Sequence, residues 1–296
     1  MRALCPQCEL HYNNPVRSPA EVAQAVRFGV VSASVDCLTE LEKLAPLAGI
    51  EVAVRFRLPV AGAAYDFGAK FGASEAEAAL LLAEVAQRGF LPSLCFHPGT
   101  QCPDPEAWAD YIRAAGRIVR AANVTIARLN VGGGFSADRG QGTPDHPAVF
   151  ARIAAETKAA FGPCAPQLLC EPGRALAAPA VTLALRVKAL RPDGSLVLND
   201  GTYGGLAEWR DMPAGKIRVV RLDAELDRNP TSERVIWGPT CDSLDRLPDP
   251  VSLPRDIAEG DYLLLPGMGA YCQSISTQFN GYGPGAPVMA SFGSGH

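Results

Sequence analysis

Three short runs carry the residue types that an anion site needs. "CFHPGTQC" holds His97, Gly99 and Thr100, "LNVGGGF" holds Gly132, Gly133 and Gly134, and "CEPGR" holds Glu171 and Arg174. Each is weak alone, since a glycine triplet is usually a tight turn and an isolated histidine is more often packed and hydrogen-bonded than reactive. Together they describe a phosphate cradle. Glycines let backbone N–H groups approach an anion, Thr100 adds a hydroxyl and Arg174 adds a bidentate fork. A carboxylate such as Glu171 would be repelled beside that cradle unless it faced a positive partner. A protonated pyridine nitrogen is such a partner, and His97 can lie flat against the same ring, so the set fits pyridoxal phosphate (PLP) better than a plain phosphate ester.

A second constellation follows in "WGPTCDSLD", residues 237–245, where Cys241 and Asp242 are adjacent after a Gly-Pro turn. The simple reading is a turn with a capping aspartate. The functional reading makes Cys241 a proton donor and Asp242 an anchor for a cationic substrate. "PGMGAYCQS" sets Tyr271 after a Gly-rich turn, where its hydroxyl can donate to phosphate. "NDGTYGG", residues 199–205, reads in isolation as a turn between two β segments. Cys5 and Cys8 form a C-x-x-C suited to zinc or to redox chemistry, but no second Cys/His pair stands at a matching spacing, so no metal is expected. Cys37, Cys95, Cys164, Cys170 and Cys272 read as buried small hydrophobes or loop thiols.

These residues must be positioned by a chain of 296 residues that is 48% hydrophobic and 20% charged, an ordinary globular composition. A net charge of −4 argues against a sequence-independent nucleic-acid surface. No run of about 18 uncharged apolar residues appears and the start lacks a hydrophobic signal region, so no membrane partner and a cytoplasmic location are expected. Strand-like runs at 10–14, 30–36, 51–59, 91–98, 127–134 and 168–172 alternate with amphipathic stretches at 19–28, 37–48, 74–87, 105–122 and 146–161. Ser18 before Pro19, Ser74, and Asp104 before Pro105 are good helix starts. The pattern is parallel β/α units, six of the eight that close a (β/α)8 barrel, with the anion-site runs at the C-terminal ends of strands where such barrels hold their chemistry. An open barrel of this kind exposes two backbone edges. Beyond residue 176 the pattern changes to strands at 181–190, 195–199, 217–222, 234–237 and 261–266. The expected organisation is therefore an incomplete barrel over 1–176 and an antiparallel β domain over 177–296.

The order "FHPGTQC … NVGGGF … CEPGRAL … NDGTYGG … WGPTCDSLDRL … GMGAYC … FNGY" resembles the alanine-racemase-like PLP enzymes, and within them the ornithine decarboxylases, over nearly the whole chain. "WGPTCDSLD" is the most specific run, with Asp242 where the diaminopimelate branch usually has Glu. The resemblance implies that His97 stacks on the pyridine ring, that Glu171 pairs with its nitrogen, and that Thr100, Gly133, Gly134, Arg174 and Tyr271 hold the phosphate. It makes Cys241 the acid that protonates Cα after carbon dioxide departs, and Asp242 the partner of the substrate's distal ammonium. It also implies a homodimer with shared active sites, in which Cys241 and Asp242 serve the other subunit and Lys70 and Asp245 bridge the interface. A second acidic group for the distal amine is assigned to Asp211, or to Glu208 if the alignment slips.

The family pattern opens with a strand reading roughly A-V-K-A/C-N, which does not occur here. "LHYNNPVRSP" aligns with the third barrel strand. The lysines are Lys43, Lys70, Lys158, Lys188 and Lys216, and none has a reason to face the cofactor. PLP is accordingly expected to be held without a covalent bond. Conversion of L-ornithine to putrescine is the activity implied. The alternative is a non-catalytic or regulatory homologue, or a fragment that needs a second chain.

Overall fold

A computed structural model describes residues 1–58, 70–140, 142–211, 215 and 217–290, with Asp211 described by its backbone only. The chain divides into two compact units. The first comprises Met1–Ser136 and Pro144–Gly173, and the second comprises Ala137–Thr143 and Arg174–His296.

The first unit is built on six strands: β1 (His11–Tyr12), β2 (Ser32–Val35), β3 (Glu51–Arg55), β4 (Leu91–Cys95), β5 (Arg128–Asn130) and β6 (Gln167–Leu169). They form one sheet in the order β1-β2-β3-β4-β5-β6, every pair parallel, with β1 and β6 at its edges. Val52, Val54, Leu94 and Leu129 are wholly buried, as the central strands of a parallel sheet require.

Helices α1 (Pro19–Phe28), α2 (Leu38–Glu42), α3 (Glu75–Gln87), α4 (Pro105–Ala122) and α5 (His146–Phe161) connect the strands. Ser18 with Glu21 and Ser74 with Glu77 each close a reciprocal capping box, and the Asp104 and Asp145 side chains cap α4 and α5. α4 buries Trp108, Tyr111, Ile112, Ala115 and Ile118, the three-and-four spacing of one helical face. Each large apolar side chain so buried contributes about 1.5–3 kcal/mol. The run expected to be helical over 37–48 breaks after Glu42 and resumes as a 3-10 turn, Ala45–Leu47. Pro46 explains the break, because its ring lacks an N–H and would meet the carbonyl four residues back.

The second unit opens with the short helix α6 (Gly173–Ala177), whose first residue belongs to the other unit. It continues through β7 (Leu183–Leu190), β8 (Leu196–Leu198), α7 (Ala207–Asp211), β9 (Arg218–Val220), β10 (Thr231–Arg234), β11 (Ile236–Trp237), β12 (Val251–Pro254), β13 (Tyr262–Leu265) and α8 (Cys272–Ile275). A five-stranded sheet runs β11-β8-β7-β13-β9 and a ribbon pairs β10 with β12. All these pairs are antiparallel except β11 with β8. On β7, Leu185 and Val187 face the core while Arg186 and Lys188 face outward, the period of two of a sheet with one wet face. β12 was not expected, because Pro248, Pro250 and Pro254 make its surroundings read as loop. A two-stranded ribbon tolerates proline at its margin, where Pro254 stands opposite Thr231.

Candidate active site

In the first unit, backbone pairing continues past the ends of β4, β5 and β6. Phe96 N donates to Asn130 O (3.1 Å), Val131 N to Leu169 O (2.9 Å) and Glu171 N to Gly132 O (2.8 Å). This places His97, the glycine turn and Glu171 side by side. A Cβ on Gly133 would stand 2.8 Å from Glu171 O and 3.1 Å from His97 Nε2. Gly134, at φ 88°, would set a Cβ 2.2 Å from Gly99 O, and the Cys102 N–H donates to Gly134 O (2.9 Å), docking the loop that carries half-exposed Thr100. The turn is therefore a cradle that only glycine leaves open. Gly134→Ala is expected to cost about 3 kcal/mol, from a left-handed backbone angle and a contact with a carbonyl that cannot retreat. Urea unfolding measures it, and a loss below about 1 kcal/mol would contradict the close approach.

The His97 imidazole is pushed down to about 4, first by burial and then by the Arg55 charge, so the ring is neutral near pH 7. Its Nδ1 accepts from Gly99 N at 3.2 Å, which fixes the ring plane. A neutral, oriented imidazole can stack on a pyridinium without charge repulsion. Glu171 is exposed, and its Oε1 accepts from both Asn13 and Asn130 Nδ2 at 2.6 Å. Among the described residues Oε2 has no donor, so one oxygen is anchored and the other can meet a protonated nitrogen. Asn13 and Asn130 were not anticipated. The only trace they leave is a polar residue at the end of β1 and of β5.

In the second unit Arg174 lies over the Tyr271 ring, 4.9 Å from its centroid. Its Nη1 donates to Glu208 Oε1, while Glu208 Oε2 lies 3.3 Å from Arg139 Nη2 and accepts from Cys272 Sγ at 3.4 Å. Glu208 is buried in this cluster. That corrects its assignment as an alternative acid for a distal amine, because its oxygens already serve two guanidinium groups. The Asp211 side chain, the first choice for that role, lies outside the described residues.

Cys241 is exposed and its Sγ accepts from Asn280 Nδ2 at 3.2 Å. Asp242 accepts from Leu244 N (2.9 Å) and from the Tyr203 hydroxyl (2.5 Å), and these two bonds hold its carboxyl below the usual range. Asp242 therefore caps its turn and still carries a full negative charge. Tyr203 comes from "NDGTYGG", a run that reads as no more than a turn and proves to supply a contact. Its ring also packs on Phe279 at 4.9 Å.

Asp245 ties the two runs together. Its Oδ1 accepts from Thr202 N and Oγ1 (2.8 and 3.0 Å), its Oδ2 from Thr240 N and Oγ1 (3.1 and 2.8 Å), and it is 1% exposed. The expected bridge from Asp245 to Lys70 of another subunit thus meets a carboxylate committed to its own chain. Of the lysines, Lys43 donates to Arg17 O and Glu40, Lys70 lies 4.9 Å from the Phe71 ring centroid, Lys188 lies over Tyr282, and Lys216 falls outside the described residues. Among the described residues no group of three or more His, Cys, Asp and Glu is placed to hold a metal ion, and no helix is long and apolar enough to cross a membrane.

A glycine cradle, a neutral and oriented imidazole, and a carboxylate with one oxygen unbonded among the described residues thus come together at the strand ends of a parallel β/α sheet. Residues 2–178 match the model of the pyridoxal-dependent decarboxylase family, pyridoxal binding domain. The chain belongs to this family, whose cofactor is PLP. It is 31% identical to Decarboxylase flvG of Aspergillus flavus over 92% of this chain and 67% of that protein. It is also 31% identical to ornithine decarboxylase 2 of Drosophila melanogaster, over 92% and 71%. Among solved structures it resembles the arginine decarboxylase of Paramecium bursaria Chlorella virus bound to agmatine, with a TM-score of 0.81 and 28% identity, covering 93% of this chain and 75% of that one.

Proposed function

We propose that the protein decarboxylates L-ornithine to putrescine, as a cytoplasmic homodimer whose Cys241 and Asp242 serve the site of the other copy. The observation that carries the choice of substrate is the environment of Asp242. Each of its oxygens already accepts one hydrogen bond, from Leu244 N and from Tyr203. Such a carboxylate has lone pairs for a compact ammonium but no clean edge for the parallel fork of a guanidinium, so a diamino acid fits better than arginine.

Bound PLP supplies the electron sink that makes loss of carbon dioxide from an amino acid feasible. With PLP bound, Glu171 would keep the ring nitrogen charged, His97 would shield the ring from water, and Thr100, Gly133, Gly134, Arg174 and Tyr271 would hold the phosphate. Asp242 orients the substrate by its distal ammonium, with Asp211 as the second acid, and Cys241 delivers a proton to Cα. Asn280 fixes the thiol that delivers it.

Purified protein supplied with PLP is expected to release carbon dioxide from ornithine with a kcat/KM above those for lysine and arginine. Cys241→Ala is expected to lower putrescine formation by roughly 10²- to 10⁴-fold, the usual contribution of a positioned acid. A higher kcat/KM for arginine would overturn the reading of Asp242, and full activity of Cys241→Ala would remove Cys241 from the chemistry.

A further inference from the structure

We propose that Arg139 and Glu208 are positioning residues for Arg174: Arg139 neutralises Glu208, so that the charge of Arg174 remains available to a phosphate. The inference rests on the assignment of Arg174 to the phosphate of PLP and adds two residues that no motif marks.

Glu208 presents one oxygen to each arginine, Oε1 to Arg174 and Oε2 to Arg139. The side chains of Arg139, Glu208 and Arg174 are 1%, 8% and 10% exposed. Burial lowers both guanidinium groups from their ordinary range, and Arg139 lowers Arg174 further by like-charge repulsion, yet arginine stays protonated in proteins. The Cys272 thiol that donates to Glu208 is raised by burial and stays neutral. Arg139, Arg174 and Glu208 therefore set two positive charges against one negative charge, among the described residues, in a place where water screens little.

Without Arg139 the Arg174–Glu208 pair would be closed and neutral, and an arriving phosphate would face a buried carboxylate beside its main cation. With Arg139 in place, Glu208 has a second cation to lean on and Arg174 can turn part of its fork toward an anion. Arg139 is itself held firmly, 5.2 Å from the Trp209 ring centroid and 3.7 Å from Met268 Sδ. A Cβ on Gly267 would come within 2.7 Å of Arg139 Cγ, so the chain opposite is kept bare to admit it.

Equilibrium dialysis of the full chain against PLP and against pyridoxal, which lacks the phosphate, tests this. The wild-type protein is expected to prefer PLP. Arg139→Met should weaken PLP about tenfold and leave pyridoxal unchanged, Glu208→Gln should not weaken PLP, and the double variant should return to within about threefold of wild type. A merely structural role for either residue would make the two substitutions add rather than cancel, and additive losses overturn the proposal. So does an unchanged PLP-to-pyridoxal ratio in a folded Arg139→Met protein. If Arg139→Met fails to fold, Glu208→Gln alone decides, because weaker PLP binding in that variant is the opposite of what is expected. A wild-type protein with no preference for PLP over pyridoxal overturns the phosphate role of Arg174 and this inference with it, an outcome separable from all the others.

Discussion

Asp245→Ala is expected to destabilise the second unit by about 3–5 kcal/mol, because several buried donors lose a charged acceptor and each one left unmet costs about 1–3 kcal/mol. The carboxylate takes two backbone N–H groups and two threonine hydroxyls, from Thr202 and Thr240, with almost no access to water. Removal leaves four donors without a partner in a space too tight for easy repair, since a Cβ on either Gly201 or Gly238 would already sit 2.2 Å from this side chain. The loops released carry Tyr203 on one side and Cys241 with Asp242 on the other. Asp245→Asn, which keeps the shape and one acceptor, should lose about half as much. Urea unfolding followed by tryptophan fluorescence reads both values, with Trp209 and Trp237 as reporters in this unit. A loss under about 1 kcal/mol for the alanine variant would show that the four hydrogen bonds do not hold the loops.

Arg174→Ala is expected to weaken PLP binding by roughly ten- to a hundredfold, because a charge-assisted contact to phosphate is worth about 1.5–3 kcal/mol. Pyridoxal, with no phosphate to lose, should bind as before. Arg174→Lys should recover only part of the loss, since it keeps the charge and gives up the fork. Removing Arg174 leaves Glu208 paired with Arg139, so the variant should fold. Equal PLP affinity in a folded Arg174→Ala protein would place the phosphate elsewhere.

The helices were the most legible part of the fold. α1 and α4 begin and end where Ser18-Pro19 and Asp104-Pro105 signal a start and where Gly29 and Asn123 take left-handed caps, and each of these signals is local. Most strands were recognised, β10 and β12 excepted, but at greater length than they have: β5 is regular strand over only three residues of the run expected at 127–134, because the glycines that follow it turn to form the cradle. In the candidate site, motifs drew attention to His97, Glu171 and Arg174, while Asn13, Asn130 and Arg139, which lie around them or around their partners, were not anticipated. Asn13 lies 158 positions from the Glu171 it holds, and Arg139 belongs to a loop before α5 while its partner Glu208 sits on α7. Nothing within a few residues of Asn13 or Arg139 distinguishes it from other surface-compatible polar residues. Glu208 was noticed for its charge and misread in its role, because the number of arginines around a carboxylate is a property of packing, not of spacing.

The detour of Ala137–Thr143 into the second unit bears on how this protein can be taken apart. A cut at Gly173 releases a piece beginning at Arg174, but that piece leaves behind Ala137, which packs with Ala178 and Ala270, and Arg139. Such a piece would retain the strands and lose one of the two counter-charges of Glu208, along with one of three alanines in a small cluster. The two units are thus modules in space and not in sequence. Exchange of domains between relatives by a single crossover at this boundary would break a buried ion cluster unless Arg139 travelled too.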